Sequence, residues 1–175
     1  MYQCLKMNKK LIYKSILLFL ILISSCIKEN QTGTDLSIGD RIPDFTVTMN
    51  DGTQMSGAKL REGVSCIVFF TTVCPDCQQT LPHVKRIYDE YSTRGVKFAL
   101  ISREESKESI ENYWSKRGYV MPYSAQNDRS VYELFAKTRV PRVYICCDGI
   151  IKAIFTDDPK PSYEDLNTSI QGLLL

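Results

Sequence analysis

Cys74-Pro75-Asp76-Cys77 stands between the continuous apolar run Val64 to Phe70 and a segment with helical periodicity. A buried strand running straight into a helix that begins with two cysteines one turn apart constrains this chain more than any other feature. At the first turn of a helix the backbone N–H groups are unpaired and the macrodipole is positive, so a thiolate at Cys74 is stabilised. Cys77, one turn later, can displace a mixed disulfide formed at Cys74. The spacing also fits half of a zinc site or a static disulfide. Tetrahedral zinc needs a second ligand pair, and the other close pair, Cys146-Cys147, is adjacent in a strand-like run where successive side chains point to opposite faces. Redox chemistry is the leading reading, and no metal or organic cofactor is called for.

The N-terminus carries an address. Lys9, Lys10 and Lys14 precede the apolar run Ile16 to Ile23, which is far short of the roughly 20 residues that span a bilayer. It reads as a secretory signal, with Met7 as an alternative start. The run ends in Ile23-Ser24-Ser25-Cys26, which resembles the lipobox of bacterial lipoproteins, where the cysteine is acylated and becomes the new N-terminus. An ordinary signal peptide with a free Cys26 is the alternative. The expected division is therefore a signal over 1–25, a lipidated Cys26 with a polar tether over 26–37, and one domain over 38–175. About ten residues of coil reach roughly 17 Å, enough to hold a domain just off a membrane.

Loss of residues 1–25 removes four lysines and no acids, so the 22 basic residues fall to 18 against 20 acidic ones. The net charge becomes about −2, and no basic stripe with interleaved aromatics remains to bind nucleic acid. A domain outside the cytoplasm meets an oxidising compartment. Its dithiol is then either kept reduced by a dedicated donor or used as an oxidant.

From Ile38 onward short elements alternate with turn signals. Phe45 to Met49 alternates, Asn50-Asp51-Gly52 marks a hairpin, and Leu60 to Gly63 leads into the central strand. Leu81, Val84, Tyr88 and Tyr91 give one face of a helix that contains Pro82 and ends before Gly95. Val96 to Ser102 is a second strand and Glu104 to Arg117 an amphipathic helix. Ser130 to Lys137 is a shorter helix with Val131, Leu134 and Phe135 on one face. Val143 to Cys147, Asp148-Gly149 and Ile150 to Phe155 form a hairpin, and a helix within Pro161 to Leu175 closes the chain. These elements predict a three-layer α/β/α sandwich around a mixed sheet, with an N-terminal β-hairpin.

This order of elements and its motifs resemble the thioredoxin superfamily, most closely the membrane-tethered TlpA/ResA-like thiol-disulfide oxidoreductases of the AhpC/TSA-redoxin type. The resemblance covers roughly Ile38 to the C-terminus. It rests on Ile38-Gly39-Asp40 with Pro43-Asp44-Phe45, the Asp51-Gly52 turn, Phe69-Phe70-Thr71-Thr72-Val73-Cys74, Pro82 five residues after Cys77, and Val140-Pro141 before an apolar strand. It implies a cis-proline at Pro141 packed against Cys74, with Val140 offering its backbone to an extended substrate peptide. Its implied partners are substrate proteins with disulfides, a membrane thiol electron donor, and the membrane itself through the lipid.

Three positions depart from the family pattern. Val73 replaces the usual tryptophan before the first cysteine, Val68 replaces the buried carboxylate six residues before it, and Arg142 follows the cis-proline where small residues are common. Asp76 is the candidate substitute for the missing acid, taking the Cys77 proton while its charge opposes an anion at Cys74 and makes the couple more reducing. Arg142 is the candidate counter-charge. Asp76 as a simple helix-start residue is the bland alternative.

Cys66 reads as a buried hydrophobe, Cys146 and Cys147 as an accessory thiol pair at most, and His83 as a solvated residue. A lone histidine argues against a Cys-His nucleophile pair and against copper chaperones of this fold. Two rival functions remain. Thr71-x-x-Cys74 has the spacing of peroxiredoxins, although the proline they place before that threonine is absent. A non-catalytic binding lipoprotein with a structural Cys74–Cys77 bridge is the other.

Overall fold

The computed structural model describes residues 35–174. The signal, Cys26 and most of the tether lie outside them. Five strands form the main sheet in the order β5-β4-β3-β6-β7. β3 (Val64–Phe70), β4 (Lys97–Ser102) and β5 (Tyr123–Ser124) run parallel, whereas β6 (Arg142–Cys147) is antiparallel to β3 and to β7 (Ile150–Phe155). A separate hairpin pairs β1 (Thr46–Thr48) with β2 (Gln54–Ser56) around the Asn50-Asp51-Gly52 turn. Every residue of β3 is buried, as a central strand covered on both faces requires.

The helices divide by the parity of β3. Phe70 faces Trp114 of α3 (Lys107–Arg117), and Phe98, the neighbour of Cys66, faces Tyr88 of α2 (Pro75–Tyr91). This face also carries α5 (Tyr163–Gln171), joined to α2 by Tyr163 Oη donating to Glu90 and by the Arg86 guanidinium 3.6 Å over the Tyr163 ring. Phe69 points the other way, into Tyr132, Phe135 and Tyr144. α1 (Gly57–Leu60), α4 (Ser130–Glu133) and the segment from Asp35 to Phe45 cover that side. Gly57 is required there, because a Cβ would stand 2.1 Å from the Pro43 carbonyl oxygen. The α/β/α sandwich with its mixed sheet and N-terminal hairpin is thus the fold that the pattern predicts.

Local differences have physical reasons. α3 begins at Lys107 rather than Glu104, since Ser106 accepts the Ser109 amide as N-cap and Glu105 is drawn to another partner. α4 is four residues long, and its buried side chain is Tyr132 rather than Val131. Leu134, expected on the apolar face, is exposed, while Phe135 and Ala136 enter the core. A single turn is too short for periodicity to choose a face, so the aromatic cluster on Phe69 decides it. β5, two residues long, has no pattern of its own; its parallel pairing to β4 defines it.

Candidate active site

β3 delivers Thr71-Thr72-Val73-Cys74 to the end of the sheet, and Cys74 is the N-cap of α2 with extended backbone and Pro75 at the first helical position. Its side chain makes no capping bond, so the sulfur is free for other contacts. The Cys74 thiol donates to the Val140 carbonyl across 3.4 Å, and the Val140–Pro141 peptide bond is cis. Cys74 is half-buried, and Cys77, one turn along the helix, is fully buried behind it. The site therefore presents one accessible sulfur and shelters the second.

Burial pushes the Cys77 thiol well above its ordinary value, opposed by the Thr71 backbone amide and the Arg103 guanidinium. Arg103 follows β4, its amide bonds the Phe70 carbonyl across 2.8 Å, and its Nε is buried without a hydrogen-bond partner. A cation, rather than the family's acid, thus stands near the second sulfur. The raised value leaves Cys77 protonated at neutral pH, so its thiolate fraction grows about tenfold per pH unit below it. Resolution of a mixed disulfide by Cys77 is expected to accelerate with a slope near one in log rate from pH 6 to 9. Stopped-flow single-turnover measurements would reveal it; a plateau near pH 7 would contradict it.

The loop before Cys74 is held from the segment after β4 and from α2. Glu105 accepts the Thr72 amide at 2.7 Å and the Thr72 hydroxyl, and Gln78 Nε2 donates to the Thr72 carbonyl at 2.8 Å. Glu105 is a positioning residue, acting through Thr72. Glu105→Ala is expected to lower kcat/KM for disulfide reduction about ten- to a hundredfold through kcat in a folded protein, with Glu105→Gln recovering part of it. Unchanged kinetics in a folded Ala variant would remove Glu105 from this role. Its signal in the sequence is position: Ser102 is the register partner of Phe70, so acids just past β4 fall beside the loop that follows β3.

Asp76 and Arg142 do not meet. Asp76 Oδ1 accepts from Lys160 Nζ at 2.8 Å, an ion pair in which both side chains are more than a third exposed. Arg142 is the register partner of Phe69 and shares its face, away from α2. There its guanidinium pairs with Asp35 and donates to the Thr138 carbonyl. Lys160 takes the counter-charge place expected of Arg142. Burial, opposed by that guanidinium, pushes the neighbouring Tyr144 hydroxyl up to about 12.

The remaining candidates sort by burial. Cys66 is buried beneath α2 and Trp114 is core. Cys146 is buried and pushed up to about 12, whereas Cys147 is half-exposed on the opposite face. The five cysteines among the described residues are unbridged. Val73 is exposed in the usual tryptophan position, leaving the rim of the site open.

Fold and site together define a thioredoxin-fold dithiol protein, with the accessible sulfur at a helix start facing a cis-proline loop. The chain belongs to the AhpC/TSA family, whose model matches residues 38–154. It is 21% identical over 131 residues to the thiol-disulfide oxidoreductase ResA of Bacillus thuringiensis (strain Al Hakam), covering 74% of this chain and 76% of that one. The ResA of Geobacillus thermodenitrificans (strain NG80-2) is 22% identical over 157 residues, covering 87% and 90%. A solved structure of a putative protein disulfide isomerase from Bacteroides thetaiotaomicron superposes with a TM-score of 0.70 at 21% identity, over 78% of this chain and 87% of that one.

Proposed function

We propose that this protein, a thiol-disulfide oxidoreductase, reduces protein disulfides outside the cytoplasm, held at a bacterial membrane by a lipid on Cys26. The observation that carries the redox role is the Cys74 thiol at the start of α2, 3.4 Å from the Val140 carbonyl beside cis-Pro141, with Cys77 buried one turn behind. The Cys74 thiolate attacks a substrate disulfide, forming a mixed disulfide and releasing one substrate thiol. Cys77, deprotonated, then attacks the Cys74 sulfur, closing the Cys74–Cys77 bridge and releasing the second thiol. Two electrons pass to the substrate, and a membrane thiol donor returns them. Val140 and Pro141 support the substrate backbone; Arg142 contributes its main chain, its side chain being committed to Asp35.

The basic n-region, the short apolar run and Ile23-Ser24-Ser25-Cys26 support the address. Among the described residues no helix is long and apolar enough to cross a membrane. Insulin-disulfide reduction and hydrogen-peroxide consumption, each driven by a dithiol donor, separate this reading from a thiol peroxidase. Insulin reduction with no peroxide consumption is the expected result. Peroxide turnover without insulin reduction would overturn it, and neither activity would favour a binding module.

A further inference from the structure

The loop between β7 and α5 is tied to both halves of the dithiol site. Arg139 Nη1, one residue before Val140, stands 3.5 Å from Asp157 Oδ1, and Lys160 Nζ bonds Asp76 Oδ1 at 2.8 Å. Behind Lys160 lies a cavity of about 210 Å³ lined by Gln79, Thr80, His83, Lys160, Pro161 and Ser162. It falls below the roughly 300 Å³ at which small-molecule sites begin, so its size suits a side chain rather than a cofactor.

The lining is rich in donors and holds no carboxylate. Lys160 has three N–H donors, of which Asp76 takes one. Gln79 adds an amide. Thr80 is 1% exposed, and its hydroxyl is buried without a hydrogen-bond partner. His83, the chain's single histidine, is half-buried on the same helix. The nearby acid Asp165 is occupied, since its carboxylate accepts both the amide and the hydroxyl of Ser162 in the cap of α5. Because the Asp76–Lys160 pair is more than a third exposed on both sides, it is weak enough to share Lys160 with a second anion.

We infer that this cavity is a substrate subsite for an acidic side chain, and that Lys160 makes the enzyme prefer disulfides flanked by Glu or Asp. The inference rests on the reductase reading and names its substrate class. Asp76, Gln79, Thr80 and His83 lie at i, i+3, i+4 and i+7 on α2, one face spanning about 10 Å of helix axis. An extended peptide rises about 3.3 Å per residue. A substrate cysteine bonded to Cys74 therefore places a residue roughly two to four positions away over the cavity.

The test uses the full chain and peptides whose single cysteine is disulfide-linked to thionitrobenzoate, with Glu, Gln or Lys three residues before or after that cysteine. On one side of the cysteine, kcat/KM is expected to be about five- to tenfold higher for Glu than for Gln, expressed in KM. Lys160→Ala should bring that ratio near one, Lys160→Arg should retain it, and Lys160→Glu should turn the preference toward the Lys peptide. Equal rates in the unmodified enzyme, or a Glu preference untouched by Lys160→Ala, would overturn the subsite. If no peptide is reduced, the reductase reading fails separately. NMR titration with the S-methylated peptides then decides the subsite alone: shifts at Thr80 and His83 with Glu but not Gln support it, and identical responses refute it.

Discussion

Protein in which Cys74 is replaced by serine is expected to reduce insulin at the uncatalysed background rate, a loss of at least about a thousandfold. Cys74 is the accessible sulfur, placed at the start of α2 against the Val140 carbonyl, and a serine hydroxyl does not attack a disulfide. Cys77→Ser should fail at a different step. Its Cys74 still attacks substrate, but no buried thiol follows, so turnover stops at one equivalent and mixed disulfides with partner proteins accumulate. Mass spectrometry of adducts from cells would show partners joined through Cys74 in Cys77→Ser and none in Cys74→Ser. Full activity in either variant would contradict the assignment of attacking and resolving roles.

The largest expected effect on stability lies under the site. Phe69→Ala should lower unfolding free energy by about 3–5 kcal/mol, because the ring is fully buried and collapse around the gap is limited by a packed sheet. Its ring contacts Tyr132, Phe135 and Tyr144 at centroid separations of 5.4, 4.9 and 6.3 Å. For a chain of this size the melting temperature should fall by roughly 10 °C or more in thermal unfolding. A drop below about 3 °C would mean that this cluster is not the anchor of α4 and the cis-proline loop. The connection to function is direct, since Tyr132 also donates to the Arg139 carbonyl at 2.7 Å, next to Val140.

What was legible in the sequence follows the range of the interactions. β3 declared itself as an unbroken apolar run, and β6 and β7 as apolar runs around Asp148-Gly149, because those signals are local. The helix after Cys77 showed its face through Leu81, Val84 and Tyr91, all buried. Cys74-Pro75-Asp76-Cys77 is a short motif at an element junction, and the fold brings Cys74 to Val140-Pro141, the pair that the family resemblance singles out. The partners of Asp76 and Arg142 were not legible. Lys160 is 84 residues from Asp76, and Asp35 is 107 from Arg142, in loop segments without periodicity. Asp76 and Arg142 stand within or beside the two motifs in the sequence, but the fold sets them on different faces of the sheet. Glu104-Glu105 reads as helix because charged residues fit a helical surface, whereas Glu105 turns back to Thr72.

The proposed function requires that Cys74 and Cys77 form a couple that opens and closes in exchange with other thiols. Redox equilibration against defined dithiol buffers, followed by alkylation and peptide mass mapping, tests it most directly. One two-electron transition joining Cys74 to Cys77 is expected, at a potential above about −300 mV, with the buried Cys66 and Cys146 alkylated only after unfolding and the half-exposed Cys147 alkylated alike at every potential. A bridge that stays closed far below −300 mV, or one joining a different pair of sulfurs, would contradict it.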